Sequence, residues 1–327
     1  MRIAFVEQTV THTFGGTRRI VELANTLVAL GHRVDVYTKL GQQARWIPLR
    51  VKVKAWPVLK KDGPFDLVLF NQSKPEELNL VRNTTTKLRA FYVLGWGETR
   101  LDEIEREIKS AHPGPALQVV RSVFDDPKFV ILACSTWIGE HLRARYRRDT
   151  VTLLGGINRE HFRPYQKPDD DKLRIYYSGD PRSRKGTDTV VAAIREMQAA
   201  TKRSTTTSTY WRKGIPQLRM GVWYSKATIF ADGQHWAGWN NPALEAMACK
   251  TPVVCTDIGG VRDFAVDGET ALLVPPKDVK AMSHALMRLT RSEALRKQLA
   301  DAGYERVRGF TWEETAARLI EIVRERL

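Results

Sequence analysis

Short runs of β-branched and aromatic residues alternate with amphipathic helical stretches along the whole chain, and that alternation breaks once and then restarts. Arg2–Val6, a helical segment at Thr17–Leu30 and Arg33–Tyr37 form a βαβ opening. Within that helix Ile20, Val21, Leu23, Ala24, Leu27 and Val28 recur at helical spacing, and Gly31 is the expected stop. Further strands are expected at Val51–Trp56, Phe65–Phe70, Leu88–Leu94, Phe129–Cys134 and Val151–Leu154. After Phe162-Arg163-Pro164 comes the polar stretch Tyr165-Gln166-Lys167-Pro168-Asp169-Asp170-Asp171, which reads as an interdomain linker. The pattern resumes with strands expected at Leu173–Ser178, Thr205–Trp211, Ala227–Ala231, Pro252–Thr256 and Ala271–Val274. The expected architecture is α/β: two Rossmann-like domains, 1–164 and 165–310, facing each other across a cleft. Residues 311–327 form a terminal helix, opened by the capping box Thr311-Trp312-Glu313-Glu314 and expected to pack back on the first domain.

A length of 327 residues suits two such domains, and 43% apolar with 27% charged residues is ordinary for a globular chain. No apolar run reaches the roughly 18 residues of a membrane span, and the opening run is too short for a signal-peptide core, so a cytoplasmic protein is expected. Cys134, Cys249 and Cys255 lack zinc-ligand spacing and read as buried thiols. The seven histidines form no ligand cluster, so neither a metal nor a cofactor is expected. A net charge of +15 favours anionic partners, among them nucleotide phosphates, an anionic membrane surface and nucleic acid. The basic helix around Arg143, Arg145, Arg147 and Arg148 could touch lipid or nucleic acid, with a solvated helix end as the default.

The most informative segment is Gly238-Trp239-Asn240-Asn241-Pro242-Ala243-Leu244-Glu245-Ala246-Met247-Ala248-Cys249, followed by Lys250-Thr251-Pro252-Val253-Val254. Asn241 is expected as an N-cap with Pro242 at the first helical position, so a helix N-terminus with phosphate-attracting amides would follow the loop. Glu245, read in the first turn, could accept hydrogen bonds from both hydroxyls of a ribose, or could simply complement the helix dipole.

This segment resembles the signature of the family 4 retaining glycosyltransferases, E-G-F-G-L-P-x-L-E-A-M-A-x-G-x-P-V-V. The resemblance implies a GT-B fold, a nucleoside-diphosphate sugar as donor substrate, and retention of configuration. It implies Glu245 on the nucleotide ribose and the amides of Gly238, Trp239, Asn240 and Asn241 near the diphosphate. The position of the pattern's first glutamate holds Ala237, and Asp232 and His235 are the nearby polar side chains that could substitute. The later Asp257-Ile258-Gly259-Gly260-Val261-Arg262 also reads like the family.

Gly15-Gly16 after the first strand permits close backbone approach at a helix N-terminus, and Gly-Gly-x-x-Arg is similar to the family's N-terminal donor loop. Tyr177-Ser178-Gly179-Asp180-Pro181-Arg182-Ser183-Arg184-Lys185-Gly186 is a strand ending in a basic turn whose cations would neutralise a diphosphate leaving group. Lys185-Gly186 matches the family's lysine–glycine pair, whereas Asp180 stands where the family has arginine, so Arg182 or Arg184 must supply the second charge. Leu154 to Pro164 resembles the family's N-G-V-D-x-x-x-F-x-P segment, a marker of the interdomain crossing. Where family members often carry a histidine, this chain has Trp96 and Glu98; Trp96 could stack on a sugar and Glu98 could hydrogen-bond donor or acceptor, with core aromatic and helix-cap roles as the alternatives.

The expected activity is transfer of a sugar to a hydroxyl of a glycan or lipid-linked acceptor. The candidate catalytic residues are Lys185, Arg182, Arg184 and Glu98. The rival readings are a catalytically weak nucleotide-sugar binder, a GT-B sugar-nucleotide epimerase, and a transferase acting on modified nucleic acid.

Overall fold

The computed structural model describes residues 1–71, 74–95 and 115–327. The chain divides into two compact units, one of Met1–Gly156 with Trp312–Leu327, the other of Ile157–Thr311.

The first unit contains β1 (Arg2–Glu7), α1 (Gly15–Ala29), β2 (Arg33–Thr38), β3 (Val53–Ala55), α2 (Trp56–Asp62), β4 (Phe65–Phe70), α3 (Pro75–Arg82) and β5 (Thr86–Val93). It continues with α4 (Pro115–Phe124), β6 (Phe129–Ala133), α5 (Thr136–Tyr146) and β7 (Val151–Thr152). The sheet is parallel in the order β3-β2-β1-β4-β5-β6-β7. Ile3–Val6 and Leu67–Phe70 are fully buried, as expected of central strands covered on both faces. Phe70 anchors one side of this core, 4.8 Å from the Phe91 ring and 5.8 Å from Phe129. Helix α1 buries Ile20, Val21, Leu23, Ala24 and Leu27 of the predicted stripe, with Val28 only partly covered, and ends where Gly31 takes φ +85°, its amide bonding the Val28 carbonyl.

The second unit contains β8 (Leu173–Tyr177), α6 (Thr187–Thr201), β9 (Thr205–Thr209), α7 (Met220–Ser225), β10 (Ile229–Asp232) and α8 (Asn241–Ala248). Then follow β11 (Val253–Thr256), β12 (Leu272–Val274), α9 (Val279–Arg291) and α10 (Glu293–Arg306). Its parallel sheet runs β12-β11-β10-β8-β9. Ile175, Ile229, Ala231 and Val254 of the sheet meet Val190, Ala193 and Met197 of α6 and Met282, Leu286 and Leu289 of α9 in one core.

The boundary between the units lies eight residues before the expected one. Ile157 to Pro164 belong to the second unit, because the His161 carbonyl packs on Gly221 and the Ile157 amide bonds the Phe310 carbonyl at 2.9 Å. The stretch read as a linker also packs there, through the Tyr165 amide on Ser225 Oγ at 3.1 Å and Lys167 Nζ on the Lys250 carbonyl at 3.3 Å. Ile157 and Thr311 pair as a parallel bridge, so the chain enters and leaves this unit side by side. Helix α11 (Trp312–Arg324) is part of the first unit, where Thr315 Oγ1 donates to the Leu154 carbonyl at 3.0 Å.

Candidate functional site

In an open parallel sheet, loops leaving the carboxyl ends of strands on either side of a reversal in strand order frame a binding crevice. In the second unit that reversal falls between β8 and β10, with β9 beyond β8 and β11 beyond β10. The loops concerned are Ser178–Gly186 and Gly233–Asn240. They are joined directly: the His235 amide donates to the Arg184 carbonyl at 2.9 Å, and Lys185 Nζ donates to Gln234 Oε1.

The first loop turns at Gly179, which has φ +72° and lies against Thr209, and closes at Gly186, with φ +57°. A Cβ on Gly186 would stand 1.7 Å from the Gly233 carbonyl oxygen, so only glycine allows the two loops to cross here. Between these turns Asp180 is 1% exposed and takes the Arg182 guanidinium, with Nε 3.0 Å from both carboxylate oxygens and a further bond from Nη2. Burial raises the Asp180 carboxyl, but the hydrogen bonds from Arg182 outweigh it and the net shift is downward. Arg182 also lies over the Trp211 ring at 5.0 Å. Its charge is thus compensated inside the turn, which removes it as the second cation for a leaving group. Arg184 and Lys185 carry the uncompensated charge of this loop. Both are half-buried, and burial lowers the pKa of each.

The second loop delivers α8. Its N-cap is Asn240 rather than Asn241: Asn240 adopts φ 35° and accepts the Ala243 amide on Oδ1 at 3.3 Å. Asn241 and Pro242 are then the first two helical residues. Pro242 has no N–H and the Ala243 amide is taken by the cap, so this N-terminus offers fewer donors to an anion than the sequence suggests. Glu245 falls in the second turn, not the first, and its side chain is buried. Gly238 is pinned by Gly260, whose Cβ would stand 2.0 Å from the Gly238 carbonyl oxygen. Trp239 is buried in an aromatic cluster, 5.2 Å from Phe264 and 5.8 Å from Phe310, and anchors the loop from within. Of the two side chains considered as substitutes at Ala237, Asp232 is buried and bonded to Gln234 Nε2 at 2.7 Å, so it is turned into the unit. His235 is half-buried, and burial, then Lys277, lower its pKa.

Gln234, absent from the sequence reading, is the side chain on which these loops converge; nothing in a lone glutamine after a glycine announces it. Gly15 and Gly16 form the first turn of α1 in the first unit, with a Cβ on Gly16 set to meet Leu94 Cδ1 at 3.2 Å. Nearby Arg19 is buried and donates to the Tyr92 hydroxyl, which itself donates to the Leu153 carbonyl at 2.6 Å. Trp96 and Glu98 lie outside the described residues. Among the described residues no group of three or more His, Cys, Asp or Glu is placed to hold a metal ion, and no helix is long and apolar enough to cross a membrane.

Residues 198–306 match the family model "Glycosyl transferases group 1". A D-inositol 3-phosphate glycosyltransferase of Frankia alni is 37% identical over 112 residues, which cover 34% of this chain and 28% of that protein. A phosphatidyl-myo-inositol mannosyltransferase of Mycobacterium leprae is 39% identical over 79 residues, 24% of this chain and 21% of that protein. The matched stretch therefore spans less than a third of the length of either relative. In three dimensions the similarity covers both units. A sucrose-phosphate synthase from Thermosynechococcus elongatus superposes with a TM-score of 0.77 at 19% identity, over 99% of this chain and 98% of the other. WaaG, a glycosyltransferase involved in lipopolysaccharide biosynthesis, gives 0.72 at 15% identity over 98% and 99%. Anabaena Alr3699/HepE in complex with UDP and glucose gives 0.72 at 12% identity over 99% of both chains. The fold is GT-B.

Proposed function

We infer that the chain is a group 1 glycosyl transferase that moves a sugar from a nucleoside-diphosphate sugar to an acceptor hydroxyl with retention of configuration. The observation that carries this reading is the convergence of the Lys185–Gly186 turn and the α8 loop at the strand-order reversal of the second unit. The bond between the anomeric carbon and the diphosphate breaks, the acceptor oxygen bonds to that carbon on the same face, and the acceptor proton leaves with the departing phosphate oxygen. The leaving diphosphate gains negative charge as the bond breaks, and the ammonium of Lys185 with the guanidinium of Arg184 complements it. Glu245 is assigned to the ribose hydroxyls. The reaction as proposed uses neither metal nor cofactor, and the acceptor is a glycan or a lipid-linked hydroxyl. Relatives named for inositol phosphate, phosphatidyl-myo-inositol and capsular polysaccharide, and a neighbour holding UDP and glucose, support the substrate classes.

Lys185→Ala tests the reading. Loss of one preorganised cationic donor is expected to lower release of nucleoside diphosphate about 10²-fold or more in a protein that is still folded at the assay temperature. Unchanged turnover would remove Lys185 from the chemistry. A second reading, a nucleotide-sugar binder with little turnover, is favoured by Ala237 and by the compensation of Arg182 within its own turn. A panel of UDP-, GDP-, ADP- and dTDP-sugars separates the two, since a binder shows a thermal shift without product.

A further inference from the structure

Both amide protons of Gln234 and its side-chain oxygen are engaged. Its Oε1 accepts from Lys185 Nζ, and its Nε2 donates to Asp232 Oδ2 at 2.7 Å and to Asn240 Oδ1 at 3.0 Å. Lysine can only donate and a carboxylate only accept, so this orientation of the amide is the one that suits both Lys185 and Asp232. Gln234, Asp232 and Asn240 are 2%, 2% and 3% exposed, which leaves no bulk water to stand in for a lost contact. The main chain of Gln234 is fixed as well, since its carbonyl accepts from Thr256 Oγ1. One amide therefore connects the Lys185 turn, the end of β10 and the cap of α8.

We propose that Gln234 is a positioning residue of the donor site: oriented by the Asp232 carboxylate, its carboxamide sets where the Lys185 ammonium meets the diphosphate and couples that placement to the α8 cap. This rests on the diphosphate reading of the same loops. Asp232 acts through Gln234 without touching the ligand, and the alternation of donor and acceptor along Lys185, Gln234 and Asp232 is the physical content of the proposal.

That alternation can be broken and restored isosterically. Gln234→Glu keeps the acceptor toward Lys185 but turns a carboxylate on the carboxylate of Asp232 and the amide oxygen of Asn240, with no proton between them. Adding Asp232→Asn returns a donor, now on the other side of the bond. The charged and titratable groups facing this cluster are Lys185, Arg184, Arg182, Asp180 and the Cys255 thiol, with Asp188 and Lys277 around His235. Burial already pushes the Asp232 carboxyl up, so in the Gln234→Glu variant the two facing carboxylates come to share a proton as the pH falls.

The probe is inorganic pyrophosphate, titrated calorimetrically into the full chain at about pH 5.5 and about pH 8.5 and read as the ratio to wild type at the same pH. Gln234→Glu is expected to bind about tenfold or more weakly at the higher pH and to recover at the lower. The double variant Gln234→Glu with Asp232→Asn is expected to bind better than Gln234→Glu at the higher pH, short of wild type because the new carboxylate faces Lys185. A role that does not use the alternation of donor and acceptor would give neither the pH-dependent recovery nor the rescue, and equal melting temperatures for the variants that differ in binding separate positioning from loss of structure. Single variants indistinguishable from wild type, or a double variant no better than Gln234→Glu, overturn the proposal. If Gln234→Glu does not fold, the double variant decides alone: it must fold and bind. Should wild type bind no pyrophosphate, the diphosphate reading falls too. Binding that Lys185→Ala weakens but the Gln234 variants do not leaves that reading standing and removes only the relay.

Discussion

Gly186→Ala perturbs the point where the two loops of the second unit cross, and its two costs can be separated. The residue has φ +57°, and placing alanine in the left-handed region costs about 1–2 kcal/mol. Its Cβ would also stand 1.7 Å from the Gly233 carbonyl oxygen, below the 3.0 Å that real Cβ contacts respect, so the loops must part by about 1.3 Å. Such overpacking adds about 1–3 kcal/mol, for a total of about 2–5. For a unit of about 150 residues each kcal/mol lowers the melting temperature by about 2–4 °C, so a drop of about 4–20 °C is expected. The control is Gly214→Ala, where φ is +66° and nothing lies within 4 Å of the added methyl. That variant bears the backbone cost alone and should fall by about 2–8 °C. Because Lys185 precedes Gly186, a displacement above an ångström should also cut turnover by about 10²-fold. Calorimetric melting of both variants with a nucleoside-diphosphate release assay provides the test. If Gly186→Ala melts no lower than Gly214→Ala and turns over like wild type, the loops are not held by this crossing.

Pyrophosphate binding should hold through neutral pH and decline as the solution is taken toward 10.5, because burial lowers the Lys185 pKa and deprotonation there removes the ammonium that binds. Lys185→Arg should move that decline to higher pH, and coincident profiles for the two proteins would assign it to another group. Gly260→Ala, whose methyl would stand 2.0 Å from the Gly238 carbonyl oxygen, should destabilise by about 1–3 kcal/mol and weaken pyrophosphate binding. Gly309→Ala meets nothing within 4 Å and should be neutral to within about 0.5 kcal/mol in urea unfolding.

Strands and the principal helices are readable from the chain because a parallel sheet covered on both faces demands continuous apolar runs, and Phe65–Phe70 is bounded in the structure where the run itself is bounded. The unit boundary is not readable that way. Proline and aspartate at 168–171 report solvent exposure, not which unit a segment lies on, and the packing of Tyr165 and His161 that decides the matter involves residues some 60 positions away. Sequence places the cap of α8 one residue late because an asparagine at φ 35° is a conformational fact without a sequence marker when two asparagines stand in a row. Lys185 and its glycine are visible as a pair. That Arg182 is consumed by Asp180 follows from a tight turn bringing i and i+2 together, and the Gln234 network from the juxtaposition of two loops 49 residues apart.

Asp180 yields the most direct test of how charge is distributed in this site. Its carboxylate holds Arg182 by three side-chain contacts and accepts the Arg182 amide at 3.1 Å. In Asp180→Asn the Oδ1 acceptor and the turn survive, and the bond from Thr187 Oγ1 to the Asp180 main-chain carbonyl is untouched. The negative charge disappears, so Arg182 joins Arg184 and Lys185 as an uncompensated cation. Pyrophosphate affinity should then rise about threefold to tenfold at low salt, with a steeper decline as salt is added, since a half-exposed arginine acts through a screened field. The direction is the discriminating feature. Removing a carboxylate that merely stabilises the turn would weaken binding along with the fold, whereas removing one that neutralises a site cation strengthens binding even at some cost in stability. An affinity that falls in parallel with the melting temperature would show that Arg182 serves the turn alone.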